Sequence, residues 1–116
     1  MSLAIGMITF DSDDPVRLGR WWAEQMNGTV VAENDGYFVM VSLGDGRPAL
    51  GFQKVNDPTR GKNRVHLDLT SDDRGAAARR LVDAGATRVG EYEMGGFAWV
   101  TLADPDGNQF CVAAGQ

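Results

Sequence analysis

The sequence predicts an α+β fold of two βαβββ modules in tandem, whose strands form a curved mixed sheet around a central trough. Three observations predict it: the chain repeats itself at one offset, each half reads strand, helix and three strands, and turn residues separate the strands in both halves. Sliding the sequence by 59 residues lays residues 8–14 on 67–73, Trp22 on Leu81, and 41–45 on 100–104. Three matches in one register point to a duplication, and an internal repeat decides the fold before any single element does. The modules run over about residues 4–53 and 63–114, joined by a basic linker at 54–62, all within one domain of residues 1–116.

Each module opens on a short alternating strand, 4–10 in the first and 65–70 in the second. A helix start follows. Asp14-Pro15 supplies an N-cap with proline at the first helical position, and Ser71-Asp72-Asp73 supplies capping oxygens. Leu18, Trp21, Trp22 and Met26 form one apolar stripe, and Ala77, Ala78, Leu81 and Ala84 a weaker one. Both tryptophans are assigned to the core. The helices stop at Asn27-Gly28 and at Gly85, where a left-handed residue is easily accommodated.

Three strands then follow in each module: 30–33, 37–43 and 49–55, and 88–92, 97–103 and 109–113. Between them stand Asn34-Asp35-Gly36, Asp45-Gly46, Gly95-Gly96 and Asp104-Pro105-Asp106-Gly107-Asn108, all turn formers. Gly95 and Gly96 are turn residues and not a phosphate cradle, since no helix follows them. A single βαβββ sheet with one helix leaves its other face bare. Two such faces brought together make a trough, a natural place for a ligand.

Composition narrows the partners. At 116 residues with 43% apolar and 23% charged residues, the chain suits one compact core. No apolar run is long enough for a membrane span, and no charged-then-apolar signal segment opens the chain. A net charge of −5 argues against nucleic acid, because the basic residues Lys54, Arg60, Lys62 and Arg64 sit among loop formers and read as a solvated loop. The one cysteine, Cys111, fits a reducing cytosol, so a cytoplasmic location is expected.

At Asn63-Arg64-Val65-His66-Leu67-Asp68-Leu69, Leu81-Val82-Asp83-Ala84-Gly85-Ala86 and Asp104-Pro105-Asp106-Gly107-Asn108-Gln109-Phe110 the sequence resembles the vicinal-oxygen-chelate superfamily of glyoxalases, bleomycin-resistance proteins and extradiol dioxygenases. More narrowly it resembles the small glyoxalase-like domains. The resemblance spans nearly the whole chain and implies the paired-module fold, without naming one activity. It also implies four metal-ligand positions, His or Gln on each module's first strand and Glu on each last strand. With a one-residue gap that aligns Leu50 and Phe52 with Phe110 and Val112, these fall on Met7, Gly51, His66 and Cys111. Only His66 matches the pattern. The oxygen donors that hard divalent ions prefer are missing, so no metal or other cofactor is expected.

The residues left to line the trough are Met7, Gln53, His66, Asp68, Trp99 and Cys111. His66 reads either as a scaffold residue or as a ligand contact, and it is the best catalytic candidate, since imidazole titrates near neutrality. Cys111 shares its face, because Phe110 and Val112 take the other. It reads as a small hydrophobe, as a nucleophile beside His66, or with Met7 and His66 as a soft donor set. Asp68 and Gln53 offer polar anchors; Trp99 either walls the pocket or packs on a second copy.

Three functions compete. The leading one is binding of a small organic molecule without the usual divalent metal. The alternative is a lyase, isomerase or dioxygenase-like enzyme using His66 or an atypical metal set. The third is an interaction module whose surface matters more than its trough. A homodimer is expected, three tryptophans being generous for a lone small domain.

Overall fold

The computed structural model describes residues 2–114, and they divide into two compact units meeting between Thr59 and Arg60. The first unit holds β1 (Met7–Ser12), α1 (Pro15–Gln25), β2 (Thr29–Ala32), β3 (Phe38–Ser42) and β4 (Ala49–Lys54). The second holds β5 (Asp68–Ser71), α2 (Arg74–Asp83), β6 (Thr87–Met94), β7 (Phe97–Ala103) and β8 (Gln109–Ala114). Each unit is one βαβββ module with a four-stranded mixed sheet, ordered β1-β4-β3-β2 and β5-β8-β7-β6. The first and last strands of each unit pair in parallel and the other pairs are antiparallel. None of the helices among the described residues is long and apolar enough to cross a membrane.

The duplication extends to single hydrogen bonds. The Ser12 hydroxyl accepts from the Asp14 amide at 3.0 Å, and the Asp14 carboxylate accepts from the Arg17 amide at 3.3 Å. In the second unit Ser71 accepts from Asp73 at 3.2 Å and Asp73 from Ala76 at 3.0 Å. Each serine thus orients the aspartate that caps the helix, satisfying donors the first helical turn leaves free. Of the three oxygens at Ser71-Asp72-Asp73, Asp73 is the cap.

Both first strands start later than the alternation suggests, at Met7 and at Asp68. Met7 is the rung opposite Ala49, where β4 begins, and the Gly6 carbonyl, accepting from the Ala49 amide at 2.9 Å, is bonded to the first residue of β4. In the second unit a side chain takes the place of a strand. Asn63 Oδ1 accepts from the Gln109 amide at 2.8 Å and Asn63 Nδ2 donates to the Gln109 carbonyl at 3.0 Å. With both backbone groups of Gln109 taken, the ladder begins at the Asp68–Cys111 rung, and His66 stands on the approach to the strand rather than in it.

Each sheet buries one face under its helix: Leu18, Trp22, Val39, Val41, Leu50 and Phe52 in the first unit, Ala78, Leu81, Val100, Leu102, Phe110 and Val112 in the second. Burying one such large side chain contributes about 1.5–3 kcal/mol. The α1 stripe differs from the periodic one, because its buried residues include Gly19 and Ala23 while Trp21 and Met26 are only half-buried. A Cβ on Gly19 would stand 2.7 Å from Val39 Cγ1, so the bare glycine lets the helix lie close against β3. Trp21 instead packs edge-on against Trp22, ring centres 5.2 Å apart.

Candidate functional site

The helix-covered faces dictate what the opposite faces present. In β8, Phe110 and Val112 are buried beneath α2, so Gln109, Cys111 and Ala113 point away from it. In β7, Val100 and Leu102 are buried, so Phe97, Trp99 and Thr101 share the outer face with Cys111. Asp68 joins them as the parallel rung partner of Cys111. On this face of the second unit lies a cavity of about 560 Å³.

One wall is aromatic. The Gly95-Gly96 turn, with both φ angles positive, pairs Met94 with Phe97 and therefore Tyr92 with Trp99. Tyr92 stacks on Trp99 with ring centres 5.9 Å apart and 30° between planes, and Phe97 lies 5.9 Å from Trp99 at 34°. Tyr92 also leans back along its own strand: a Cβ on Gly90 would meet the Tyr92 hydroxyl at 2.6 Å. Tyr92 and Phe97 each remain 47% exposed, so the wall is open to a ligand.

The other wall is polar. His66 Nε2 lies 3.2 Å from Asp68 Oδ1, and the Thr101 hydroxyl lies 3.4 Å from Cys111 Sγ. A ring nitrogen of His66, a carboxylate oxygen of Asp68 and the sulfur of Cys111 all lie within 4.8 Å of one another. Lys62, assigned from sequence to a solvated linker, lines the cavity as well.

His66, Asp68, Trp99 and Cys111 thus come together in one cavity, whereas Met7 and Gln53 belong to the first unit and are not among its lining residues. Gln53 is exposed on β4. Met7 helps fill the first sheet's outer face at Gly51, where a Cβ would stand 2.9 Å from Phe38 Cζ, 2.9 Å from Thr9 Oγ1 and 3.0 Å from Met7 Sδ. Gly51 occupies the rung opposite Thr9, as Cys111 occupies the rung opposite Asp68. Tyr92, Phe97 and Thr101 escaped the sequence reading, although their spacing from Trp99 and the Gly-Gly turn placed them on its face.

The four positions at which the resemblance implies metal ligands do not fit a hard divalent ion. Gly51 has no donor, and the space beside its Cα is filled by Phe38, Thr9 and Met7. Met7 offers a thioether and Cys111 a thiol, leaving neither carboxylate that such an ion prefers.

A glyoxalase-like domain family model matches residues 7–113. No curated protein matches the chain. Among solved structures, a member of the glyoxalase/bleomycin resistance protein/dioxygenase superfamily from Sphaerobacter thermophilus is 19% identical, with a TM-score of 0.74 over 98% of each chain. The fosfomycin resistance protein FosX from Mesorhizobium loti is 17% identical, TM-score 0.75, over 100% of this chain and 95% of that one. TnmS3, an antibiotic binding protein from a Streptomyces species, is 18% identical, TM-score 0.74, over 100% and 99%. At these identities the likeness concerns the fold.

Proposed function

Because this chain belongs to the glyoxalase-like domain family, whose fold serves binders and enzymes alike, we propose that it binds a planar aromatic small molecule in the cavity of its second unit. The observation that carries this reading is the half-exposed wall of Tyr92, Phe97 and Trp99 facing a polar cluster. A flat ring laid on Trp99 gains about 0.5–1.5 kcal/mol beyond area burial. His66, Asp68 and Thr101 then offer donors and acceptors to a hydroxyl or carbonyl at the ligand's edge. The cavity volume falls within the roughly 300–1,000 Å³ of sites for small organic molecules. That TnmS3, named for binding an antibiotic, shares the fold is consistent with a binder.

Binding here uses no hard divalent ion. Titration of a naphthol into the protein quenches part of the tryptophan emission, and Trp99→Ala weakens binding at least about tenfold, the equivalent of 1.4 kcal/mol. An unchanged affinity in that variant overturns the reading.

A second reading rests on the 3.2 Å contact between His66 and Asp68. A carboxylate that orients an imidazole equips it as a general base, able to abstract a proton from a bound carbonyl compound. Exchange of a ligand proton with solvent deuterium, lost in His66→Ala, separates this reading from plain binding. We further propose a cytoplasmic homodimer, for whose contact the exposed Met94 at the β6–β7 turn offers apolar surface.

A further inference from the structure

We propose that the free edge of β6 pairs antiparallel with β6 of a second copy of this chain. The two-fold axis passes through Glu91, and Arg88 stands opposite the partner's Glu93. This pairing rests on the homodimer reading above and gives that dimer a surface and a register. It holds whatever the cavity binds.

The edge itself invites a strand. β6 ends the order β5-β8-β7-β6, and among the described residues its ladder partner is β7 alone. Its other side offers a row of backbone donors and acceptors to a further chain. At eight residues it is long for an edge, and it holds neither proline nor lysine to blunt it. Every residue of it except Gly90 is exposed.

Charge and face together select the register. Arg88, Glu91 and Glu93 are rung partners of Leu102, Val100 and Ala98, so all three charges lie on the helix-covered side. Thr87, Tyr92 and Met94 are rung partners of Ala103, Trp99 and Phe97 and take the cavity side, where Val89 also lies. Directly opposed residues of an antiparallel pair share a face. Val89 and Gly90 count as one place, because together they already oppose the single Thr101 across a bulge. Centring on Glu91 then uses the whole strand. Thr87 meets the partner's Met94, Arg88 the partner's Glu93, and Val89 the partner's Tyr92. Opposite charges and an aromatic against a β-branched residue are pairs that stabilise antiparallel strands, and symmetry supplies each pair twice. Centring on Tyr92 would set Glu91 against Glu93, like charges directly opposed. Centring on the bulge would leave Glu93 and Met94 outside the ladder. Glu91 meets its own copy on the axis, but Arg88 at 2.6 Å and Arg74 at 3.7 Å already balance it within each chain. The pairing also covers apolar surface, since Val89, Tyr92 and Met94 are 45%, 47% and 74% exposed.

The test measures the dimer dissociation constant of the full chain by sedimentation equilibrium over a dilution series. A single strand pairing is a small contact, so the dimer should dissociate within the micromolar range. Glu93→Arg should weaken it at least about tenfold, since two opposite-charge pairs become two like-charge pairs. Glu93 is exposed, so this variant folds, as far-ultraviolet circular dichroism will show. Adding Arg88→Glu to it should tighten the dimer again by about threefold or more, the mark of a direct pair. Register is read by oxidative crosslinking in a Cys111→Ser background, which leaves no other thiol. Glu91→Cys should give a disulfide-linked dimer, because opposed residues on the axis lie about 4.5–5.5 Å apart, within disulfide reach. Glu93→Cys, opposed to Arg88, should link far less. A dimer unchanged by Glu93→Arg, or linked as readily through Glu93→Cys as through Glu91→Cys, overturns this edge and leaves the homodimer standing. A monomer at every concentration removes the homodimer itself, and the pairing with it.

Discussion

His66 is where local chemistry and position are most closely joined. It lies just outside β5, its ring half-exposed, with Asp68 at 3.2 Å and Cys111 across the cluster. A side chain that faces a cavity rather than the helix layer contributes to binding more than to folding. His66→Ala should therefore weaken aromatic-ligand binding by about 1–2 kcal/mol, the worth of one hydrogen bond to a polar partner. The urea midpoint should stay close to that of the parent. Isothermal titration and urea denaturation check the two halves, and a large fall in stability would identify His66 as scaffold.

Among the elements, α1 shows what packing adds to periodicity. Its sequence carries Trp21 and Met26 as apolar positions, yet the buried line runs through Leu18, Gly19, Trp22 and Ala23. Alanine is the better helix former, by about 1 kcal/mol over glycine. At position 19 that gain is outweighed, because the added methyl would meet Val39 Cγ1 at 2.7 Å and Phe52 Cδ1 at 3.2 Å. Gly19→Ala is expected to destabilise by about 1–3 kcal/mol, the usual cost of overpacking. Thermal unfolding checks it, and a raised midpoint would show that the helix can shift outward.

For the whole molecule, the contrast between the two outer faces matters most. The first unit fills its face at Gly51 with Phe38, Thr9 and Met7, while the second leaves an aromatic wall and a polar cluster around a cavity. A duplicated chain has thus kept two scaffolds and differentiated their surfaces. Elemental analysis after dialysis should find no stoichiometric Mg²⁺, Mn²⁺, Fe²⁺ or Ni²⁺, since the set of donors those ions need is incomplete; one such ion per chain would refute this. Sedimentation equilibrium at tens of micromolar should give about twice the 12.5 kDa of one chain, and a 12.5 kDa species alone would count against the homodimer.

The duplication, the order of elements, the capping aspartates and the alternation of β8 were all legible in the sequence, because each depends on residues close together or on a regular period. Alternation alone puts Cys111 opposite Phe110 and Val112, and the glycine turn alone puts Tyr92 across from Trp99. Tertiary structure decided the rest. It brought donor atoms of His66, Asp68 and Cys111 within 4.8 Å of one another, and showed that Asn63 takes over the ladder at Gln109. It also revealed that Gly19 is a contact surface rather than a gap in an apolar stripe. The physical reason is common to all three. Period and propensity describe how a segment meets its own neighbours, whereas these features depend on which atoms of distant segments occupy the space beside it, and only packing in three dimensions determines that.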